Sequence, residues 1–274
     1  MTRRTPPRPV DVERLFPEVL PFRRETVRLH PRAGRPTYRD SSVGGPLLWP
    51  ADEAWPLCPE HEGSPMVPVV QVHRDSVPGL VPFPDGCDLL QVLWCPRRHS
   101  DHRWIVPHVR RRRSGAVRTP LEAPPSPAEW EEDYLPRPCV VHPETVTEYP
   151  SWDLREDVWD ALEDRFLALD EETGWDYQRH LSTAPGTKLG GYPGWSQHPD
   201  WPDCAGCGRR MEHLLTVRST EADAISRRAW TPVEEDDDTP YQGPGLVLGD
   251  LGGVYLFECP DCPGRPFAHR YDCA

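Results

Sequence analysis

Two cysteine pairs, Cys204/Cys207 and Cys259/Cys262, are each spaced C-x2-C. A C-x2-C turn brings two sulfurs to one side of the chain, so two such turns supply the four soft donors of a tetrahedral Zn(II) site. Gly208 follows the first pair, where a tight turn favours a residue without a side chain. The pairs are farther apart than in a compact finger, so a shared ion would clasp two distant segments. The competing readings are two disulfides or unrelated thiols. A redox motif is disfavoured, because neither pair joins a strand to a convincing helix.

A second set emerges when the chain is compared with itself. At a constant offset of 146, Gly44, Gly45, Trp49, Trp55, Pro56 and Cys58 meet Gly190, Gly191, Trp195, Trp201, Pro202 and Cys204. His61 then falls opposite Cys207, and histidine is the other common zinc ligand. With gaps, 69–72 matches 214–217, and 90–96 matches 254–260, which sets Cys95 against Cys259. Repetition of this kind indicates a duplicated unit. The first copy therefore offers Cys58, His61 and Cys95, with Arg98 where Cys262 would stand. His99 is the expected fourth ligand and His102 the reserve. The expectation is one zinc ion at Cys204, Cys207, Cys259 and Cys262, and a second at Cys58, His61, Cys95 and His99. The alternative is a degenerate first copy with buried thiols and no metal.

The elements that must position these residues are mostly strands. Alternating or continuous apolar runs predict strands over 25–30, 104–109, 139–142, 144–148 and 254–258. Cys139 and His142 resemble half a knuckle, but no partner pair remains for them. One long amphipathic helix is expected over 154–169, with Val158, Leu162, Phe166 and Leu169 on one face, Asp153 as its N-cap and Gly174 as its stop. Short helices are expected within 11–20, capped by Asp11 and limited by Pro17, and over 221–228. Residues 1–10, basic and proline-rich, read as frayed. The organisation expected is an N-terminal segment 1–24, a first pseudo-repeat 25–150, a helical connector 151–186 and a second pseudo-repeat 187–274, together one domain. The fold class is α+β, rich in β, with two zinc-ribbon-like knuckle units.

Composition limits the function classes. The formal net charge of −13 disfavours general binding to nucleic acid or anionic membranes. The basic run 110–113 is short and reads as a solvated edge strand, and the acidic run 234–238 as a solvated loop or a site for a basic partner or cation. No apolar run approaches the roughly 18 residues of a membrane span, and the first residues lack an apolar leader. Nine cysteines without a leader suggest a reducing, cytoplasmic setting, where thiols serve metals more often than disulfides. The glycine-rich stretch 243–253 has neither a Walker lysine nor a GxGxxG order.

The phrases DSSVGGPLLWP, LLQVLWCP and KLGGYPGW followed by CAGCG and VYLFECPDC resemble the YwqG-like bacterial family, in particular an actinobacterial branch. The second half is also similar to the programmed-cell-death-protein-2 group. The resemblance spans about residues 25–270. It implies a β-rich duplicated fold, with Cys204, Cys207, Cys259 and Cys262 as metal ligands. It also implies a protein partner, since the eukaryotic relatives are chaperones of a ribosomal protein and bacterial ones are suspected immunity or protein-binding modules. The expected function is a zinc-stabilised protein-interaction module, a client-specific chaperone or an immunity-like protein. The alternative is a metal-dependent enzyme at Cys58, His61 and Cys95, with Asp85, His102 or His73 as acid or base. None of the HExxH, GxSxG or deaminase signatures is present.

Overall fold

A computed structural model describes residues 2–77, 83–84, 86–99, 104–235 and 241–273. The chain is mixed α+β and β-rich, with two antiparallel sheets and few helices. The strands are β1 (Arg24–Arg28), β2 (Arg32–Ala33), β3 (Ser42–Val43), β4 (Val67–His73), β5 (Leu89–Trp94), β6 (Pro107–Arg112), β7 (Cys139–Val140), β8 (Glu144–Glu148), β9 (Lys188–Gly190), β10 (Glu212–Arg218), β11 (Gly253–Glu258) and β12 (Phe267–Asp272). One sheet has the order β12-β11-β10-β9-β1-β8, the other β2-β7-β3-β4-β5-β6.

Strands β3 to β6 are four consecutive antiparallel neighbours, and so are β9 to β12. The β4–β5 register shifts between Pro68 and Val70, and the β10–β11 register between His213 and Leu215. Segments 24–33 and 139–148 run antiparallel and cross between the sheets: β1 pairs with β8 in one, β2 with β7 in the other. His142 N–H donates to the Leu29 carbonyl at 2.7 Å, which continues this ribbon between the sheets. The sheet that holds β9 to β12 thus takes β1 and β8 from residues 24–148, whereas the other sheet is built entirely from residues 32–140.

Both sheets contribute to the main apolar cluster, which includes Val70, Val92 and Trp94 from one and Leu215, Val254 and Leu256 from the other. All six residues of β5 and of β11 are buried, which is why these segments read as continuous apolar runs and not as alternation. Inside the first sheet, Lys188 Nζ lies 2.7 Å from Glu148 Oε2, both essentially inaccessible. Burial pushes the lysine below its usual range, and the carboxylate opposes that shift. Glu148 also accepts from the backbone N–H of Ala184 and of Tyr192. Gly191, at φ +68°, has no room for a side chain, because a Cβ would sit 1.9 Å from Glu148 Oε1.

Helix α1 (Val12–Leu15) begins at Asp11, whose carboxylate accepts from Arg14 N–H at 3.1 Å. Helix α2 (Glu156–Thr173) buries Leu162 and Phe166, and Gly174 closes it at φ +72°. These helices share an apolar cluster with Phe16 and Tyr177. The N-cap is Arg155 and not Asp153. Asp153 is drawn away because it accepts the indole N–H groups of both Trp195 and Trp201. The helix expected over 221–228 shrinks to α3 (Arg227–Trp230), and the strand expected over 104–109 lies three residues later.

Two sequence expectations for charged segments change. Strand β6 is an edge strand, as expected, but its arginines are not simply solvated. Arg110 and Arg112 pair with Glu53, and Arg111 pairs with Glu258 of the opposite sheet. Glu234 and Glu235 hold Arg4 and Arg32, so this part of the acidic run is engaged; residues 236–238 lie outside the described residues. No helix among the described residues is long and apolar enough to cross a membrane.

Candidate metal centres

Each candidate centre is built by a hairpin that leads into a central strand and by the end of the next strand. In the second half, Cys204 N–H donates to Arg209 O at 2.8 Å and Met211 N–H to Pro202 O at 2.9 Å, forming the turn ahead of β10. Gly208, at φ +69°, returns its N–H to Cys204 O at 2.8 Å. Cys259 follows β11 directly and donates to Pro266 O at 2.9 Å. Because β10 and β11 are hydrogen-bonded neighbours, the two turns meet.

The Cys204 and Cys262 sulfurs lie 3.7 Å apart, and those of Cys207 and Cys259 3.6 Å apart. All four lie within 4.8 Å of one another. A tetrahedron with Zn–S bonds of about 2.3 Å has edges of about 3.8 Å, so the spacing fits a single ion. Four thiols at this distance cannot all ionise without a cation. Hydrogen bonding from Cys207 pushes the Cys262 thiol up to about 12, while the backbone N–H and side chain of Arg209 hold Cys207 down to about 6. Trp195, Trp201 and Phe257 pack against Cys204 and Cys259.

The first half repeats this construction with different donors. Cys58 N–H donates to Ser64 O at 2.8 Å, Met66 N–H to Pro56 O at 3.0 Å, and Cys95 N–H to Val106 O at 3.2 Å. His61 Nδ1 lies 3.8 Å from Cys58 Sγ and 3.3 Å from Cys95 Sγ, and His99 Nε2 lies 3.2 Å from Cys58 Sγ. An edge between a zinc-bound sulfur and a zinc-bound nitrogen is about 3.6 Å, within this range. His99 Nδ1 faces the Trp104 carbonyl at 3.4 Å, an outer contact that leaves Nε2 as the donor to a metal. Burial pushes the Cys95 thiol up to about 12, a cost that a bound cation reverses. Trp49 and Trp55 stand here as Trp195 and Trp201 do in the other half.

Both sets of residues named from spacing are therefore brought together, and His99 stands with Cys58, His61 and Cys95 as a fourth potential donor. The proposed acid or base His73 is not near it. It ends β4, roughly 20 Å along the strand from Val67, among Tyr38, Asp40, Asp75 and Asp88. His102 and Asp85 lie outside the described residues. Cys139 lies in β7, as its strand reading expected, where burial pushes its thiol up to about 11. Sequence reasoning missed the Asp153 link between α2 and the Trp195/Trp201 pair. A carboxylate one turn before a helix looks like a cap, and only the fold shows what it touches.

A scan against protein-family models finds none that matches the chain, and a search of curated proteins finds no match.

Proposed function

We propose that the chain is a zinc-stabilised protein-interaction module made of two copies of one metal-clasped unit. The carrying observation is the closure of both tetrads by four protein donors each, at corresponding turns of two four-stranded arrays. A catalytic zinc keeps one position open, whereas a structural zinc is saturated by protein ligands. His99 takes the position that an open catalytic site would leave for water or substrate. The matching strand order and the matching register shifts support descent from one duplicated unit. The zinc-ribbon-like knuckles would then fasten each hairpin where two distant segments meet.

Several features support a protein as the partner. The arginines of β6 are engaged internally, and the net charge of −13 favours a basic ligand over an acidic one. The exposed faces include Trp130 and Trp152. In this reading Zn(II) supplies folding energy, and the chain's own residues supply the binding surface.

The test is metal analysis of the purified chain joined to affinity capture from its native lysate. Two zinc ions per chain and a reproducible protein partner are expected. One zinc or none would remove the paired-clasp reading. Failure to retain any protein would remove the interaction reading.

A further inference from the structure

Residues 3–9 do not fray. They lie extended along the edge of β8, held by polar and aromatic groups. Thr5 N–H donates to Glu144 Oε1 at 2.8 Å, and its hydroxyl to Glu144 Oε2 at 2.6 Å. Arg4 pairs with Glu234 at 2.7 Å, and its carbonyl accepts from Val233 N–H at 2.9 Å. Arg3 pairs with Glu235 at 3.2 Å. The Arg8 guanidinium donates to the carbonyls of Thr147 and Leu181, and lies 5.1 Å from the Tyr149 ring and 5.7 Å from the Trp230 ring.

The manner of attachment changes sharply along the chain. No residue from 2 to 10 is buried, whereas Val12, Phe16 and Val19 that follow are 2 %, 3 % and 0 % exposed. The strap is thus held by recognition of arginines, a hydroxyl and backbone amides, without an apolar anchor. Arg4 keeps 69 % of its side chain in solvent, so its ion pair is screened and contributes little. A cavity of about 200 Å³ remains between strap and sheet, lined by Thr5, Arg8, Glu144, His180 and Trp230 among others. Pro6, Pro7 and Pro9 lack backbone N–H groups, so the segment cannot extend the sheet as a regular strand. This is how a preformed extended ligand is recognised: arginines meet carboxylates and aromatic faces while prolines fix the backbone.

We propose that Glu144, Glu234 and Glu235 with Tyr149 and Trp230 form a binding groove for extended, arginine-rich, proline-containing peptide, which residues 3–9 occupy in cis. The assignment rests on the interaction reading above and gives it a ligand class. A tethered strap acts at an effective concentration in the millimolar range, so it competes with any incoming segment. A partner bearing a similar basic segment displaces the strap by offering the same charges with additional contacts of its own.

The experiment uses the full chain and a fluorescein-labelled peptide of the strap sequence TRRTPPRPV, read by fluorescence anisotropy. Arg4→Ala/Arg8→Ala loosens the strap and leaves the groove intact. The loosened protein is expected to bind the peptide at least roughly tenfold more tightly than the wild type, as cis competition is relieved. Adding Glu144→Gln in that background is expected to abolish most of the gain, and a peptide with glutamates in place of arginines should not bind. Metal content and far-UV circular dichroism show that each variant is folded. If the double variant fails to fold, Thr5→Ala serves in its place. A folded, loosened protein that binds the peptide no better than the wild type, or binds the glutamate peptide equally well, overturns the groove. Lysate capture reports on the interaction reading separately, so the failure of one is distinguishable from the failure of the other.

Discussion

Cys58 Sγ lies 3.2 Å from His99 Nε2, although 41 residues separate them in the chain. The contact exists because β4 and β5 are paired, so the turn before one meets the turn after the other. It gives the first cluster four potential donors and not three.

His99→Ala should lower the zinc content from two ions per chain to one and leave the four-cysteine cluster loaded. Removing one donor leaves an open position, and outer-sphere changes alone already cost about 10–100-fold in metal affinity. Metal analysis after dialysis against a weak chelator measures this. Retention of two ions would show that His99 is not a ligand.

Cys262→Ser should cost more. A structural zinc supplies about 10–16 kcal/mol of apparent binding energy in small zinc peptides, and an ion bound by this cluster would join the turn before β10 to the end of β11. The variant should bind one ion and unfold at markedly lower urea. An unchanged urea midpoint would count against a metal at this cluster.

Lys188→Met strands the Glu148 carboxylate in the sheet with only backbone donors. Breaking a buried pair from one side costs about 3–5 kcal/mol. Urea unfolding should show a loss of that order, and Glu148→Gln added to Lys188→Met should recover part of it. Loss of stability that the second substitution does not relieve would mean that the charge pair is not the cause.

Asp153→Ala removes the acceptor shared by Trp195 and Trp201. Hydrogen bonds to a charged group contribute about 1.5–3 kcal/mol, so a loss of that order is expected. Tryptophan emission should shift as the indoles lose their partner. Unchanged emission and stability would contradict the link.

Stability should fall on mild acidification. Burial holds His213 down to about 3, aided by the Lys188 charge, and holds His30 down to about 4 against the pull of Glu144. The unfolded chain protonates both near pH 6.5. Between about 6.5 and 4 the unfolded state therefore binds more protons, so stability rises with pH there and is lost as pH falls. Each histidine contributes at most about 1.4 kcal/mol per pH unit. Urea midpoints at pH 7 and pH 5 should differ less in His213→Gln than in the wild type at equal metal content. Equal slopes would exclude His213 as a source.

The local chemistry of this protein is legible in its residues. C-x2-C spacing is short enough for one turn to aim both sulfurs, so Cys204, Cys207, Cys259 and Cys262 can be grouped without a fold. The helix around Leu162 and Phe166 and its stop at Gly174 are equally local, because apolar period and a left-handed glycine act within a few residues. The self-comparison that set His61 opposite Cys207 also depended only on residue order. Tertiary structure decided what depends on distant neighbours. A carboxylate goes to whichever donors the fold presents: Asp153 left the helix end for two indoles, and Glu234 took an arginine of the strap. Arginines 110–112 look alike in sequence, yet the pleat sends Arg111 toward Glu258 and its neighbours toward Glu53. Residues 3–9 read as frayed because they bear no apolar pattern, and their order comes mostly from groups more than 130 residues away, such as Glu144 and Glu234. Charges and hydrogen bonds carry no periodic signature, so their partners become visible only when the sheets are assembled.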